Sequence, residues 1–214
     1  MAQNKVVLYS YFRSSCSWRV RIALAFKNIN YEYKGVNLLK GEHLTEDFLK
    51  LNPSSEVPAL VHNGNILTHS TAILEYLEEV VPSPRLLPVD LVMRAKVRAI
   101  VDAIVADIQP IQNMRVLKYV GEKHMEWGKH WIEQGFTAVE RYLQESHGLY
   151  CVGDEVTLAD VCLVPQVFNA NRFHVDVKQY PLINEISSRL SELPAFKVSH
   201  PLVQPDCPEE MKKQ

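Results

Sequence analysis

Three prolines within seven residues, Pro82, Pro84 and Pro88, divide the chain at the point where its hydrophobic periodicity changes. Each proline removes a backbone donor and fixes φ, so no continuous helix runs through 82–88 and the stretch is an extended linker. Before it, short alternating strands mix with single helical stripes. After it, the 3.6-residue period dominates almost to the end. Residues 1–81 are therefore expected to form a mixed α/β domain and 89–214 an all-helical one.

Within the first part, 5–9 reads as a β-branched strand, followed by a hydroxyl-rich turn and a helix from about 16 to 27. Val20, Ile22, Ala23, Leu24, Ala25 and Phe26 wrap most of that helix, which predicts burial on more than one side. A strand at 31–36 and a short capped helix at 45–51 complete a strand, helix, strand unit. Asn63-Gly64 then joins 57–62 to 65–68 as a hairpin, because both turn residues tolerate positive φ. Helix 70–80 carries Ile73, Leu74 and Leu77 on one stripe. Beyond the linker, 89–120 reads as one long helix bent near Pro110, and 125–145 as a second. Thr157-Leu158-Ala159-Asp160 is a capping box opening a buried helix. Helix 181–191 starts on a proline, and a short segment at 194–198 precedes a polar end that reads as disordered.

Several chemistries have no signature here. With eight glycines spread along 214 residues, there is neither a Gly-x-Gly-x-x-Gly nor a Walker loop to cradle a nucleotide. No His-Glu-x-x-His and no Gly-x-Ser-x-Gly occurs, and the eight histidines are scattered. Four cysteines without a Cys-x-x-Cys pair suggest neither structural zinc nor a disulfide framework. Cys151 and Cys162 sit in apolar surroundings and Cys207 in a Pro-rich tail, which leaves Cys16 as the thiol placed for reactivity. A formal charge of −2 supplies no field for nucleic acid or an anionic membrane. No apolar run approaches a bilayer span and the N-terminus lacks a signal-peptide pattern, so a cytoplasmic location is expected.

The chemistry that remains lies in the stretch 9–21, where a strand joins a helix through Ser14, Ser15, Cys16 and Ser17. A helix start carries unpaired N–H groups and partial positive charge, and attracts phosphate, carboxylate or thiolate. Spacing alone equally allows the serines to be a helix cap and Cys16 to be a nucleophile. Val57-Pro58 precedes the third strand, and in a thioredoxin-like arrangement an X-Pro bond there is cis and turns the preceding backbone groups toward a peptide.

Five segments together resemble the zeta class of the glutathione transferases. They are the run Ser14-Ser15-Cys16-Ser17-Trp18-Arg19-Val20-Arg21, the segment from Asn52-Pro53 to Val57-Pro58, His69-Ser70, Ile108-Gln109-Pro110-Ile111-Gln112-Asn113, and Asn171-Arg172-Phe173. The likeness extends over essentially the whole chain. It implies the glutathione transferase fold, a thioredoxin-like α/β N-terminal domain plus an all-α C-terminal domain, in a homodimer that uses glutathione. By resemblance Ser14 donates to the glutathione thiolate with Ser15 supporting, and Cys16 is a further candidate catalytic group. Glutathione contacts are implied for Ser14, Ser15, Cys16, His43, Val57, Pro58, His69, Ser70, Gln109 and Asn113. His43 and His69 stand where relatives usually carry Gln. Gln109 and Asn113, four apart, are expected on one face of the long helix. Arg172 and Arg13 are the candidates for a substrate carboxylate. The implied reaction is glutathione-dependent cis–trans isomerisation of maleylacetoacetate to fumarylacetoacetate in tyrosine and phenylalanine breakdown. A transferase acting on α-halo acids would need the same groups, and a non-catalytic binding module is the alternative of another class.

Overall fold

The computed structural model describes Lys5 to Lys212; the extreme ends of the two expected domains, 1–4 and 213–214, lie outside the described residues. Two compact units emerge, one of residues up to Pro84 together with Pro194 onward, the other Arg85–Leu193.

The first unit holds a four-stranded sheet in the order β2-β1-β3-β4, built from β1 (Val6–Ser10), β2 (Glu32–Gly35), β3 (Ala59–His62) and β4 (Asn65–Thr68). β1 runs parallel to β2 and antiparallel to β3, and β3 pairs antiparallel with β4. The parallel pair needs a crossover, supplied by α1 (Ser15–Phe26). The hairpin turns on Asn63 and Gly64, at φ 52° and 79°. α2 (Glu46–Leu51) is capped by Thr45, whose hydroxyl accepts from the Phe48 amide. α3 (Ser70–Val80) buries Ile73, Leu74 and Leu77. Every residue of α1 from Ser17 to Leu24 is buried. One side of it meets α3, and another meets α9 (Pro194–Ser199). That second layer is why a helix apolar nearly all round is stable here.

Residues 194–212 accordingly belong to the α/β unit, not to the helical domain at 89–214 as read from periodicity, and they are packed instead of loose. Cys207 joins Tyr11, Phe12, Val36, Phe48 and Val57 in one buried cluster. At the C-terminus of α1, the buried Lys27 pairs with Glu78 at 2.7 Å and donates to the carbonyls of Val81 and Pro84. Val57-Pro58 is cis, and so is Ser83-Pro84.

The second unit is helical: α4 (Leu91–Asp102), α5 (Met114–Val120), α6 (His124–Ser146), α7 (Leu158–Arg172) and α8 (Pro181–Ser191). The single long helix expected over 89–120 is interrupted. A π-helical stretch at Ala103–Ile108 and a 3₁₀ turn at Pro110–Gln112 separate α4 from α5. Gly135 of α6 lets Ile108 approach, since a Cβ there would stand 2.2 Å from the Ile108 side chain. The Thr157–Asp160 capping box forms, and the buried Asp160 carboxylate also accepts from the Cys151 amide at 2.9 Å. No described helix is long and apolar enough to cross a membrane.

Candidate active site

β1 hands the chain to α1 through Tyr11, Phe12, Arg13 and Ser14, and every backbone group of that turn named here is tied down. The Ser14 amide donates to the Tyr11 carbonyl at 3.0 Å. Ser14 is the N-cap of α1, and its Oγ accepts from the Ser17 amide at 3.2 Å. A hydroxyl oxygen used as acceptor keeps its own proton to donate, so the capping and anion-binding roles are compatible. No acidic residue lies in the first turn of α1, so the partial positive charge of the helix start is not neutralised locally. Ser15 and Cys16 follow within that turn, half-buried.

Beneath the turn lies Arg19, wholly buried. Its Nη1 donates to Ser70 Oγ at 3.2 Å and stands 3.7 Å from Cys16 Sγ. Nε and Nη2 meet no acceptor among the described residues. Arg21, one turn-half further, is equally buried but saturated: it donates to Ser199 O, Ser10 Oγ, Tyr11 O and Phe12 O. The two arginines therefore do different things. Arg21 holds the backbone of the strand-to-helix turn, while Arg19, between the starts of α1 and α3, has no acidic partner among the described residues. An uncompensated buried charge costs several kcal/mol, roughly, unless an anion approaches it. Ser70, first residue of α3, is buried, and its hydroxyl oxygen accepts from Arg19; the first amides of a helix have no intrahelical acceptor. His69 precedes Ser70, exposed and at φ 64°.

The other candidates of this unit occupy its loops. His43 lies half-buried in the 3₁₀ turn Glu42–Leu44. Val57 and Pro58 are buried, and the loop before them is shaped by Asn52, whose side chain donates to Glu56 O at 2.7 Å and accepts from the Ser54 amide. Arg13 is half-buried in the β1–α1 turn. Of the four cysteines Cys16 is half-buried, whereas Cys151 and Cys162 are fully buried and Cys207 is only 4% exposed. Burial pushes the Cys151 thiol far up, and the nearby Asp160 adds to it.

Gln109, Asn113 and Arg172 belong to the helical unit. Gln109 closes the π-helical stretch, its amide donating to Ile104 O at 3.0 Å. Asn113 is the N-cap of α5 and accepts from the Arg115 amide, so it does not share a helix face with Gln109 as the four-residue spacing implied. The cause is Pro110 together with Gln112, which is turned inward to donate to the buried Gln166 at 2.7 Å. Arg172 ends α7 with its guanidinium 5.6 Å from the Phe173 ring centroid. Phe173 in turn packs on α6 where Gly128 leaves room, a Cβ there lying 2.2 Å from the ring.

Arg19 was not among the residues singled out from sequence for a role. The signal was present: a helix apolar around its circumference has no exposed face for a charge, so an arginine inside it must be buried and serve something.

Two family models match the chain: Glutathione S-transferase, N-terminal domain, over residues 4–79, and Glutathione S-transferase, C-terminal domain, over 111–198. Maleylacetoacetate isomerase of Mus musculus is 56% identical, covering 99% of this chain and 100% of its own. A holo structure of a bacterial maleyl pyruvate isomerase, described as a zeta-class glutathione S-transferase, is 44% identical with a TM-score of 0.92, covering 94% of this chain and 100% of its own. A maleylacetoacetate isomerase of Anaeromyxobacter dehalogenans, solved with glutathione in its active site, is 42% identical with a TM-score of 0.88, covering 95% and 98%. With the thioredoxin-like sheet, the helical second unit and the serine-capped first helix all in place, the chain belongs to the glutathione transferases, and within them to the zeta class.

Proposed function

We propose that this protein catalyses the glutathione-dependent cis–trans isomerisation of maleylacetoacetate to fumarylacetoacetate, as a step of tyrosine and phenylalanine breakdown. The observation that supports the reading is the buried Arg19 guanidinium set between Cys16 and Ser70, its Nε and Nη2 meeting no acceptor among the described residues. A peptide bearing a carboxylate and a thiolate fits it: Ser70 and the α3 amides suit the γ-glutamyl carboxylate, and Ser14 at the start of α1 suits the sulfur. His43, the Val57 main chain beside Pro58, His69, Gln109 and Asn113 are assigned to the rest of the tripeptide, with Ser15 and Cys16 flanking the sulfur.

When bound, glutathione supplies the thiolate that adds to the cis double bond and leaves once the bond has turned. Ser14 keeps the sulfur charged: a hydrogen bond to an anion contributes roughly 1.5–3 kcal/mol and the helix start about 0.3–1, which together lower a thiol's pKa from about 8.5 by ~1.5–3. Arg172, with Arg13 as the second candidate, holds a substrate carboxylate and fixes its orientation. Buried donors that need no rearrangement compensate charge as it moves during the reaction. Cys16, beside the site, is assigned no bond-making step. The chain works in the cytoplasm as a homodimer, which the exposed apolar side chains of Val89, Leu91 and Val92 around the start of α4 support, being 65–75% exposed.

The test is a side-by-side assay of maleylacetoacetate and a dihaloacetate, each with and without glutathione. Isomerisation that requires glutathione and exceeds haloacid turnover is expected. Preferential turnover of the haloacid would replace the isomerase reading with a transferase one, and failure to retain glutathione at all would leave a non-catalytic module.

A further inference from the structure

The C-terminal segment makes a contact that neither the fold nor the proposed reaction accounts for. Asp206, far from the sulfur-binding turn in sequence, accepts from the Phe12 amide through Oδ2 at 2.9 Å and from the Tyr33 hydroxyl through Oδ1 at 2.6 Å. Phe12 is two residues before Ser14. Its carbonyl accepts from Arg21 Nη2 at 2.8 Å, so both backbone polar groups of this one residue are held by charged side chains, one from each end of the chain. The adjacent Tyr11 carbonyl accepts from Arg21 and from the Ser14 amide. The strand edge is fitted to the carboxylate as well: Gly35 lies against it, and a Cβ on Gly35 would stand 3.1 Å from Asp206 Cβ. Next in sequence, Cys207 belongs to the same buried cluster as Tyr11 and Phe12, with Leu202 and Met211 packed against it.

We infer that Asp206 is a positioning residue for the active-site turn: its carboxylate, fixed by Tyr33, pins the Phe12 amide and thereby sets where the Ser14 hydroxyl points. A strand-to-helix turn of four residues has no regular hydrogen-bond ladder of its own, so its geometry depends on side chains brought to it. Charge-assisted bonds are the strong ones, and a carboxylate accepting a backbone N–H fixes direction as well as distance. A hydroxyl that must face a developing sulfur anion loses most of its effect when displaced by about 1 Å. The inference rests on Ser14 being the sulfur's donor.

The test compares Asp206→Ala, Asp206→Asn, Tyr33→Phe and Cys207→Ala, reading two quantities in each. One is hydrogen exchange of the peptide spanning 11–17 in the protein without glutathione. The other is the kcat and KM split for the isomerase reaction. Asp206→Ala should speed exchange in 11–17 and lower kcat, each by about 10-fold, the size expected from one lost charge-assisted bond. Asp206→Asn keeps an acceptor and should recover most of both, and Tyr33→Phe should fall between. Cys207→Ala loosens the same segment without touching the Phe12 amide, and should lower melting temperature while leaving exchange in 11–17 and kcat near wild type. Unchanged exchange in Asp206→Ala, or a Cys207→Ala variant that copies it, overturns the inference. If instead Asp206→Ala speeds exchange while Ser14→Ala leaves turnover intact, the turn is positioned as described but Ser14 is not the donor. Finally, the kcat effect of Asp206→Ala should vanish in a Ser14→Ala background, and additive losses would contradict an action through Ser14.

Discussion

At the scale of single residues, Ser14, Cys16 and Ser70 are held in three different ways. Ser14 caps α1 and has a proton to spare; Cys16 touches Arg19 through a long sulfur contact; Ser70 accepts Arg19's hydrogen bond. Ser14→Ala should therefore lower kcat/KM by about 10–100-fold, the loss of a hydrogen bond to an anion, with a stability cost of about 1 kcal/mol from the missing cap. Cys16→Ala should leave turnover within a few-fold of wild type, roughly, because the sulfur accepts no strong bond. Arg19 and Arg21 should part company in the same way. Arg21→Met removes the donor to four acceptors and should unfold the protein more easily by at least ~3 kcal/mol, read as a denaturation midpoint. Arg19→Met leaves one hydroxyl without its donor but removes a buried charge that has no acidic partner among the described residues, so its stability should fall far less while its glutathione affinity drops about 10-fold or more.

Among the elements, the Ser14 cap of α1, the hairpin at Asn63-Gly64 and the capping box at Thr157–Asp160 are governed by near neighbours, and those were legible from sequence. The same local reasoning failed where distant groups decide. Residues 89–120 are helical in pattern throughout, yet Gln112 is drawn to Gln166 and Asn113 caps a new helix, neither of which any local period encodes. The tail looked disordered for the same reason: polar, proline-rich and aperiodic, it is ordered by Asp206 and Cys207 meeting partners near the other end of the chain. The segment after α9 also carries a pH dependence. His200 Nδ1 accepts from the Leu202 amide, and burial followed by the charge of Arg21 pulls its pKa below 6.5. Below pH 6.5 the unfolded chain then binds the proton more readily than the folded one, so stability falls with pH in that range. Thermal melts from pH 7.5 to 5.5 should show a decline that His200→Asn lessens.

For the whole molecule, the chain divides into an α/β unit carrying Ser14, Arg19 and Ser70 and a helical unit carrying Gln109, Asn113 and Arg172. Exposed apolar side chains around the start of α4 lead to the expectation of a dimer, with light scattering reporting about twice the chain mass and Leu91→Glu shifting it toward one chain. The central claim is narrower and chemical: the working anion is a thiolate borrowed from glutathione and held by Ser14. It is tested most directly by titrating the ultraviolet absorbance of the thiolate of glutathione bound to wild type and to Ser14→Ala. Wild type should show the bound thiol mostly ionised at neutral pH, with the transition in Ser14→Ala moved upward by about 1 or more, as the loss of one charge-assisted bond requires. A transition that stays in place when Ser14 is replaced would contradict the account.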